Sequence, residues 1–259
     1  MVKGIEKFRE TFTNYSGNYV IIGGTACDLV LSSTTINPRP TMDIDMVIVA
    51  EALTDEYVKK FWAFIKEGEY SCGKRKHPKG EQKVYEMYRF ITKRFDYPVK
   101  IELLSKHPDI LGEASGFHIE PIPVGEDTSS LSAIIMDEDY YNLTINGGVM
   151  IDGLNVADFR TLVCLKVKAY LNLLDEKAQG KTVNSYDIKK HRLDVLKLVA
   201  GDPDPSPTAV PAKVKQDIDA FAEKISDPSL RQSLCDAMKM SYDEIVALIS
   251  TLKSNYISL

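Results

Sequence analysis

The chain has 259 residues, 44% of them hydrophobic, which is enough to bury the core of one large domain or two smaller ones. Its net charge of −5 argues against a protein whose whole surface is built to bind nucleic acid. No apolar run reaches the roughly 18 residues of a membrane span, and the N-terminus lacks the apolar segment of a signal peptide.

Helix and strand patterns alternate along the first half of the chain. Residues 1–12 have the pattern of an amphipathic helix, Tyr19–Gly24 that of a buried strand ending in a glycine turn, and Thr25–Leu31 that of a helix start. Further along, the patterns predict a strand at Met42–Val49, a helix at Leu53–Lys66, and strands at Val84–Ile91, Val99–Leu104, Leu131–Met136, Tyr140–Ile145 and Val149–Ile151.

The second half of the chain has a helical pattern, with helices predicted over residues 156–178 and 184–200. A proline-rich segment over residues 201–207 then precedes two or three more predicted helices. The sequence therefore predicts an α+β protein. A domain with a mixed β-sheet and helices covers residues 1–154, and an α-helical domain covers residues 155–259.

Three acidic residues stand out on the predicted strands. Asp43 and Asp45 share one face of their strand because side chains alternate between the two faces. Like charges placed side by side repel each other and lose hydration, and a divalent cation between them offsets that cost. Glu102 is a third acid, in the middle of a later β-rich run. Such hard oxygen ligands suit Mg²⁺ or Mn²⁺, although each acid taken alone is also explained by a strand end that faces water.

A glycine turn precedes these acids. Gly23, Gly24 and Thr25 close a strand and open a helix, where small residues let backbone N–H groups approach a phosphate near the positive helix end. A tight turn without a ligand is the other interpretation of this segment. Taken together, the glycine turn, the paired acids and the third acid predict a two-metal site for phosphoryl transfer.

The string IIGGTACDLVL, followed by RPTMDIDMVIV, resembles the start of the DNA polymerase β-type nucleotidyltransferases. In that superfamily a GG or GS turn precedes a DxD strand, and a third carboxylate follows on another strand. The segment RPTMDID, residues 39–45, is similar to the AbiEii-type nucleotidyltransferase toxins of bacterial toxin–antitoxin systems. The resemblance implies the nucleotidyltransferase fold and transfer of a nucleoside monophosphate from an NTP to an acceptor, with release of pyrophosphate.

The resemblance also implies roles for the residues that match it. Asp43 and Asp45 are expected to hold both metal ions, and Glu102 to bind the catalytic ion and help to take the acceptor proton. One ion lowers the pKa of the attacking hydroxyl, and the other neutralises charge on the leaving pyrophosphate. Arg39 is expected to contact phosphate or brace the loop, and a structural salt bridge is its alternative role.

A lysine interrupts the apolar face of the first predicted C-terminal helix. Lys166 falls among apolar residues at three- and four-residue spacing, namely Leu162, Leu165, Ala169, Tyr170 and Leu173. Burying its charge is costly unless an anion meets it, and an NTP triphosphate across the interdomain cleft is such an anion. A snorkelling lysine or a buried pair with an acid is the alternative. AbiEii-type proteins have a similar L-x-x-L-K-x-x-A helix.

The next predicted helix departs from the pattern of the resembled family, which is a basic–acidic RD-x-x-D helix. The segment KHRLD, residues 190–194, keeps the final acid, Asp194, but has His191 in place of the first. Asp187, His191 and Asp194 lie on one stripe of the helix. We expect Asp194 to orient Lys166 or a nucleotide group, with His191 the weaker candidate.

Two other functions stay open on the sequence alone. One is transfer to a small molecule, as in the aminoglycoside-modifying relatives, because acceptor choice depends on the shape of the pocket. The other is a non-catalytic protein of the same fold that binds a nucleotide or a partner protein. Retention of all three acids argues against this last reading, since a binding module does not need the full metal set.

The resemblance implies an NTP as substrate, tRNA or another RNA as acceptor, and an antitoxin protein as partner, with no membrane involved. The four cysteines are far apart and form no CxxC pair. They indicate neither a zinc site nor a disulfide framework, and so favour a reducing, cytoplasmic setting.

Overall fold

The computed structural model describes residues 2–74, 85–105, 137–204 and 206–259, so the predicted strand at Leu131–Met136 lies outside the described residues. The strands are β1 (Tyr19–Ile22), β2 (Asp43–Ile48), β3 (Ser71–Lys74), β4 (Tyr85–Ile91), β5 (Lys100–Leu104), β6 (Gly148–Ile151), β7 (Leu154–Ala157), β8 (Thr208–Val210) and β9 (Tyr256–Ser258). Seven of these form one mixed sheet in the order β3-β4-β5-β2-β1-β7-β6, and β8 pairs with β9.

Among the described residues, four helices precede β7 in the sequence and five follow it. They are α1 (Ile5–Phe12), α2 (Gly23–Leu31), α3 (Asp55–Glu67), α4 (Glu138–Asn146), α5 (Phe159–Ala178), α6 (Ser185–Gly201), α7 (Ala212–Ile225), α8 (Arg231–Met238) and α9 (Tyr242–Ser254). The part of the chain that the structure describes is therefore a mixed α+β fold in which the C-terminal part is mainly helical, as predicted.

Strand β1 lies inside the sheet, and all four of its residues are buried. Its uninterrupted apolar run suits a strand that is covered on both faces. It pairs antiparallel with β2 and parallel with β7, and β2 pairs parallel with β5. Because β1 and β2 run antiparallel, the end of β1 lies beside the start of β2, where Ile22 is opposite Asp45.

An aromatic cluster packs α1 and α3 against one face of the sheet. Phe8 and Phe12, one helical turn apart and fully buried, contact Tyr19 of β1 and Phe64 of α3. Full burial of such a side chain stabilises the fold by about 1.5–3 kcal/mol. Tyr19 and Ile22 are three residues apart on one strand, so they face opposite sides. The face that carries Asp45 is therefore the one turned away from the aromatic cluster.

Helix α2 connects the sheet to the helical part of the chain. It follows β1 directly, and it contacts both α5 and α6, which also pack against each other. Helix α5 begins after Asp158, whose side chain accepts a hydrogen bond from the Thr161 N–H. Among the described helices, none combines the length and the apolar character needed to cross a membrane.

The predicted strand at Tyr140–Ile145 is wrong, because this segment lies within helix α4. Asp137 precedes the helix and accepts hydrogen bonds from the N–H groups of Asp139 and Tyr140, which satisfies donors of the first turn. Tyr140 and Thr144, one helical turn apart, are both fully buried. The aromatic residues favour a strand, but the cap and this helical spacing outweigh that preference.

The helix predicted to start at residue 156 begins instead at Phe159, because residues 154–157 form β7 and pair with β6 and β1. The short strands β3, β8 and β9 were not predicted. They are three or four residues long, which is too short for an alternating pattern to be recognised.

Candidate functional site

The three predicted acids lie on one face of two neighbouring parallel strands. Asp45 of β2 is opposite Glu102 of β5, and Asp43 is opposite Lys100. Ile44, between the two aspartates, is fully buried on the other face, as the alternation predicts. The structure therefore brings Asp43, Asp45 and Glu102 together at the end of β2 that adjoins the glycine turn.

Two basic side chains compensate part of this negative charge. Lys100 Nζ lies 2.9 Å from Asp43 Oδ2 and 2.9 Å from Glu102 Oε2. Arg89 of β4, which is opposite Glu102 in the sheet, pairs with Glu102 Oε1. Burial raises the pKa of Glu102, but the charges of Lys100 and Arg89 outweigh that effect and the pKa is lowered. Glu102 is thus an ionised carboxylate with a basic partner on each oxygen.

Asp45 is compensated less, because the charge of Lys100 acts to lower its pKa but is outweighed by other effects. Its Oδ1 atom is buried and finds no hydrogen-bond donor among the described residues. Burial, followed by the negative charge of Glu102, raises the pKa of Asp45 to about 7. An unpartnered, buried carboxylate oxygen beside two other acids is costly unless a cation meets it.

The chemistry of these donors fits a divalent metal ion, although the side chains do not converge on one point as they stand. Within the described ranges, no group of three ligating side chains is arranged to hold an ion. Asp43 and Glu102 are both directed at Lys100 instead. Three carboxylates offer the hard oxygen ligands that Mg²⁺ and Mn²⁺ prefer, and the open oxygen of Asp45 is a point at which such an ion would bind.

The glycine turn lies directly against these acids. Gly23 has a φ of +73°, a conformation that glycine adopts without strain, and a Cβ at this position would lie 2.2 Å from Asp45 Oδ2. A Cβ on Gly24 would lie 2.8 Å from the Thr41 hydroxyl oxygen. The Thr25 hydroxyl donates to the Asp43 carbonyl oxygen and ties the turn to β2. A larger residue at Gly23 would therefore strain the turn and crowd Asp45, and one at Gly24 would crowd Thr41 and Arg39.

The turn is also the N-terminus of α2. The residue before the helix, Ile22, has no side-chain acceptor for the first N–H groups of the helix. These groups carry the positive end of the helix dipole, which attracts anions.

A buried cation cluster lies on the other side of the turn. Lys166 of α5 and Asp194 of α6, which are only 4% and 6% exposed, form an ion pair with 3.0 Å between Nζ and Oδ2. Arg39 Nε lies 3.4 Å from the same Oδ2 atom. A Cβ on Gly24 would lie 3.0 Å from Arg39 Nη2. We call Arg39, Lys166 and Asp194 the cation cluster, because two positive charges share one carboxylate.

The cation cluster bears on the alternative roles that the sequence left open for Lys166 and Arg39. Lys166 does not snorkel to solvent but forms the buried pair with an acid, and that acid is the predicted Asp194. Arg39 takes part in the same cluster. The predicted stripe is not one functional unit, because Asp187 pairs instead with Lys190, at 2.7 Å.

His191 lies beside the cation cluster without joining it. Its Nδ1 atom is buried and has no hydrogen-bond partner among the described residues. Burial, followed by the positive charges of Lys166, Lys190 and Arg39, lowers the pKa of His191 to about 2. The imidazole is therefore neutral near pH 7.

Two residues of this site were missed by the sequence analysis. They are Lys100, which shares the strand face of Glu102, and Arg89. Each is a charged residue in a β-rich run, which is a signal comparable to the one that identified Glu102. What the sequence does not show is the pairing of β4 with β5 that sets Arg89 opposite Glu102.

Comparisons with known proteins found no family model, no curated protein and no solved structure that matches this chain.

Replacing Asp194 with alanine should destabilise the protein by about 3–5 kcal/mol, because it leaves the charges of Lys166 and Arg39 without their acid in a buried place. Asp219→Ala is the matched control, since Asp219 is 45% exposed and pairs with Lys215 on the surface. That change should cost less than about 1 kcal/mol. Urea unfolding measures both, and equal losses would contradict a buried cluster.

The environment of His191 predicts a pH dependence of stability. The pKa of His191 is 6.5 in the unfolded chain and is lowered to about 2 in the folded protein. Stability from this residue is therefore complete above pH 6.5 and is lost as the pH falls towards 2. Between pH 7.5 and 5.5 the loss should be about 1.4 kcal/mol. Urea unfolding of wild type and His191→Gln at both values measures it, and identical pH slopes would refute the assignment.

Proposed function

We propose that this protein is a divalent-metal-dependent nucleotidyltransferase, which moves a nucleoside monophosphate from an NTP to an acceptor. One observation carries the proposal: the backbone of Gly23 and Gly24 passes between the acids and the cation cluster. A Cβ on Gly23 would meet Asp45, and one on Gly24 would meet Arg39. A phosphate chain bound at this turn would have carboxylates for its metal on one side and positive charge on the other.

The cation cluster supports the binding of an anion at this turn. Arg39 and Lys166 share a single oxygen of Asp194, so the three residues together carry one surplus positive charge. Because the Arg39 side chain is only 28% exposed, water compensates this surplus charge incompletely, and a phosphate group would supply a partner for it. The N–H groups at the start of α2 favour the same ligand, because no side chain of the preceding residue caps them and the positive end of a helix attracts anions.

The acids support the metal part of the proposal. Asp43, Asp45 and Glu102 would hold the divalent ions, which supply a lowered pKa for the attacking hydroxyl and neutralise charge on the leaving pyrophosphate. Asp45 would give up the proton that burial favours when a cation is bound at its open oxygen, because the cation would offset the cost of burying the carboxylate. Arg89 keeps Glu102 ionised and fixes the direction of its carboxylate.

The acceptor that we propose is the end of an RNA, such as tRNA. Its support is the resemblance of residues 39–45 to the AbiEii-type toxins. The same resemblance suggests a cytoplasmic enzyme that an antitoxin protein inhibits. A small-molecule acceptor and a non-catalytic nucleotide-binding protein are the competing outcomes, and one assay separates the three.

The assay incubates the protein with Mg²⁺, each labelled NTP and total bacterial RNA. Wild type should transfer label to RNA, and the double variant Asp43→Asn/Asp45→Asn should lose at least about 10³-fold of this activity, because it loses the metal ligands. The variant keeps the shape of both side chains and removes their repulsion, so it should fold. Asp219→Asn, which changes an exposed acid on α7, is the control and should keep full activity.

Each of the other results has a definite meaning. Equal labelling by the double variant and wild type would refute the assigned metal site. Pyrophosphate release that depends on an added small molecule, with no label in RNA, would support the same chemistry with another acceptor. Nucleotide binding without any transfer would favour the non-catalytic protein.

A further inference from the structure

The position of Lys100 is unusual for a residue inside a proposed metal site. Its ammonium nitrogen lies 2.9 Å from an oxygen of Asp43 and 2.9 Å from an oxygen of Glu102. These are two of the three acids that would ligate a divalent ion. The side chain thus places a single positive charge between the acids.

We propose that Lys100 is a built-in cation, which neutralises Asp43 and Glu102 and must be displaced before a divalent ion can bind both of them. The inference rests on the proposed function, because it takes the three acids to be metal ligands. It adds to that function a competition between the chain's own charge and the metal.

The contacts of the three acids favour competition between Lys100 and a metal ion over a role for Lys100 in which it only stabilises the acids. Both oxygens of Glu102 are already taken, Oε1 by Arg89 and Oε2 by Lys100. Asp43 is likewise paired with Lys100 through Oδ2. Asp45 alone of the three acids keeps a buried oxygen that no described residue contacts by a hydrogen bond. An arriving ion therefore meets an open oxygen on Asp45, whereas Asp43 and Glu102 are each paired with the same lysine.

Lys100 is suited to move in a way that Arg89 is not. A lysine is a compact charge on a flexible four-carbon stem, whereas the arginine guanidinium is a rigid planar fork. The Lys100 side chain is 25% exposed, so its ammonium has a route to water. Leaving the acids costs Lys100 two ion pairs, and this cost lowers the affinity of the metal.

A purely structural role for Lys100 predicts something different. If the lysine only held β2 and β5 together, then removing it would weaken both the fold and the metal site. Competition predicts opposite signs for the two quantities. Without Lys100 the repulsion among the acids lowers the melting temperature, whereas the affinity for a divalent ion rises because its competitor is gone.

The experiment titrates Mn²⁺ into the full chain and follows free Mn²⁺ by electron paramagnetic resonance, with thermal melts before and after Mn²⁺. Lys100→Met should bind Mn²⁺ about tenfold more tightly than wild type, since it loses two partly buried ion pairs that compete with the metal. Without Mn²⁺ this variant should melt at a lower temperature than wild type. Addition of Mn²⁺ should raise its melting temperature by more than it raises that of wild type. Lys100→Gln repeats the test if the Met variant does not fold.

Lys181→Met controls for the change in net charge, because Lys181 is exposed in the loop between α5 and α6. It should bind Mn²⁺ as wild type does, and equal tightening by this variant would overturn the proposal. If wild type binds Mn²⁺ and Lys100→Met binds it equally or less tightly, the role of Lys100 is overturned while the metal site stands. Absence of Mn²⁺ binding by both wild type and Lys100→Met would overturn the proposed metal site together with the inference.

Discussion

Negative charge gathered on one face of the sheet is the constraint on which this site depends. The parallel register of β2 and β5 places Asp45 beside Glu102 and Asp43 beside Lys100. The chain answers the repulsion with Lys100 and Arg89, and with a raised pKa at Asp45. Acids spread over the surface would need neither basic partners nor a raised pKa. The proposed metal ion would account for the concentration of the three acids at one place.

Helix α2 relates this charge to the rest of the molecule. Its first residues, Gly23 and Gly24, lie against Asp45 on one side and Arg39 on the other, and the helix itself contacts α5 and α6. The sheet therefore supplies the negative half of the site, and Arg39, which precedes β2, supplies the positive half together with Lys166 of α5. A ligand that carries both phosphates and a metal ion matches this division, because each half meets the group of opposite charge.

Local patterns account for the parts of the site that the sequence predicts. Alternation along β2 is enough to place Asp43 and Asp45 on one face, and helical spacing is enough to show that Lys166 belongs to a buried surface. The roles of Lys100 and Arg89 depend on which strands are neighbours, and that is decided by contacts far apart in sequence. The tyrosines of α4 misled the prediction for a different reason, since the local cap at Asp137 outweighs their preference for a strand.

The most direct test of the central claim is nucleotide binding by both halves of the site. Calorimetry with a non-hydrolysable NTP and Mn²⁺ should show binding to wild type. Asp45→Asn and Lys166→Met should each weaken it about tenfold or more, because each removes a charged contact worth about 1.5–3 kcal/mol. Equal affinity of wild type and both variants, or no binding by wild type, would contradict a triphosphate site at the glycine turn.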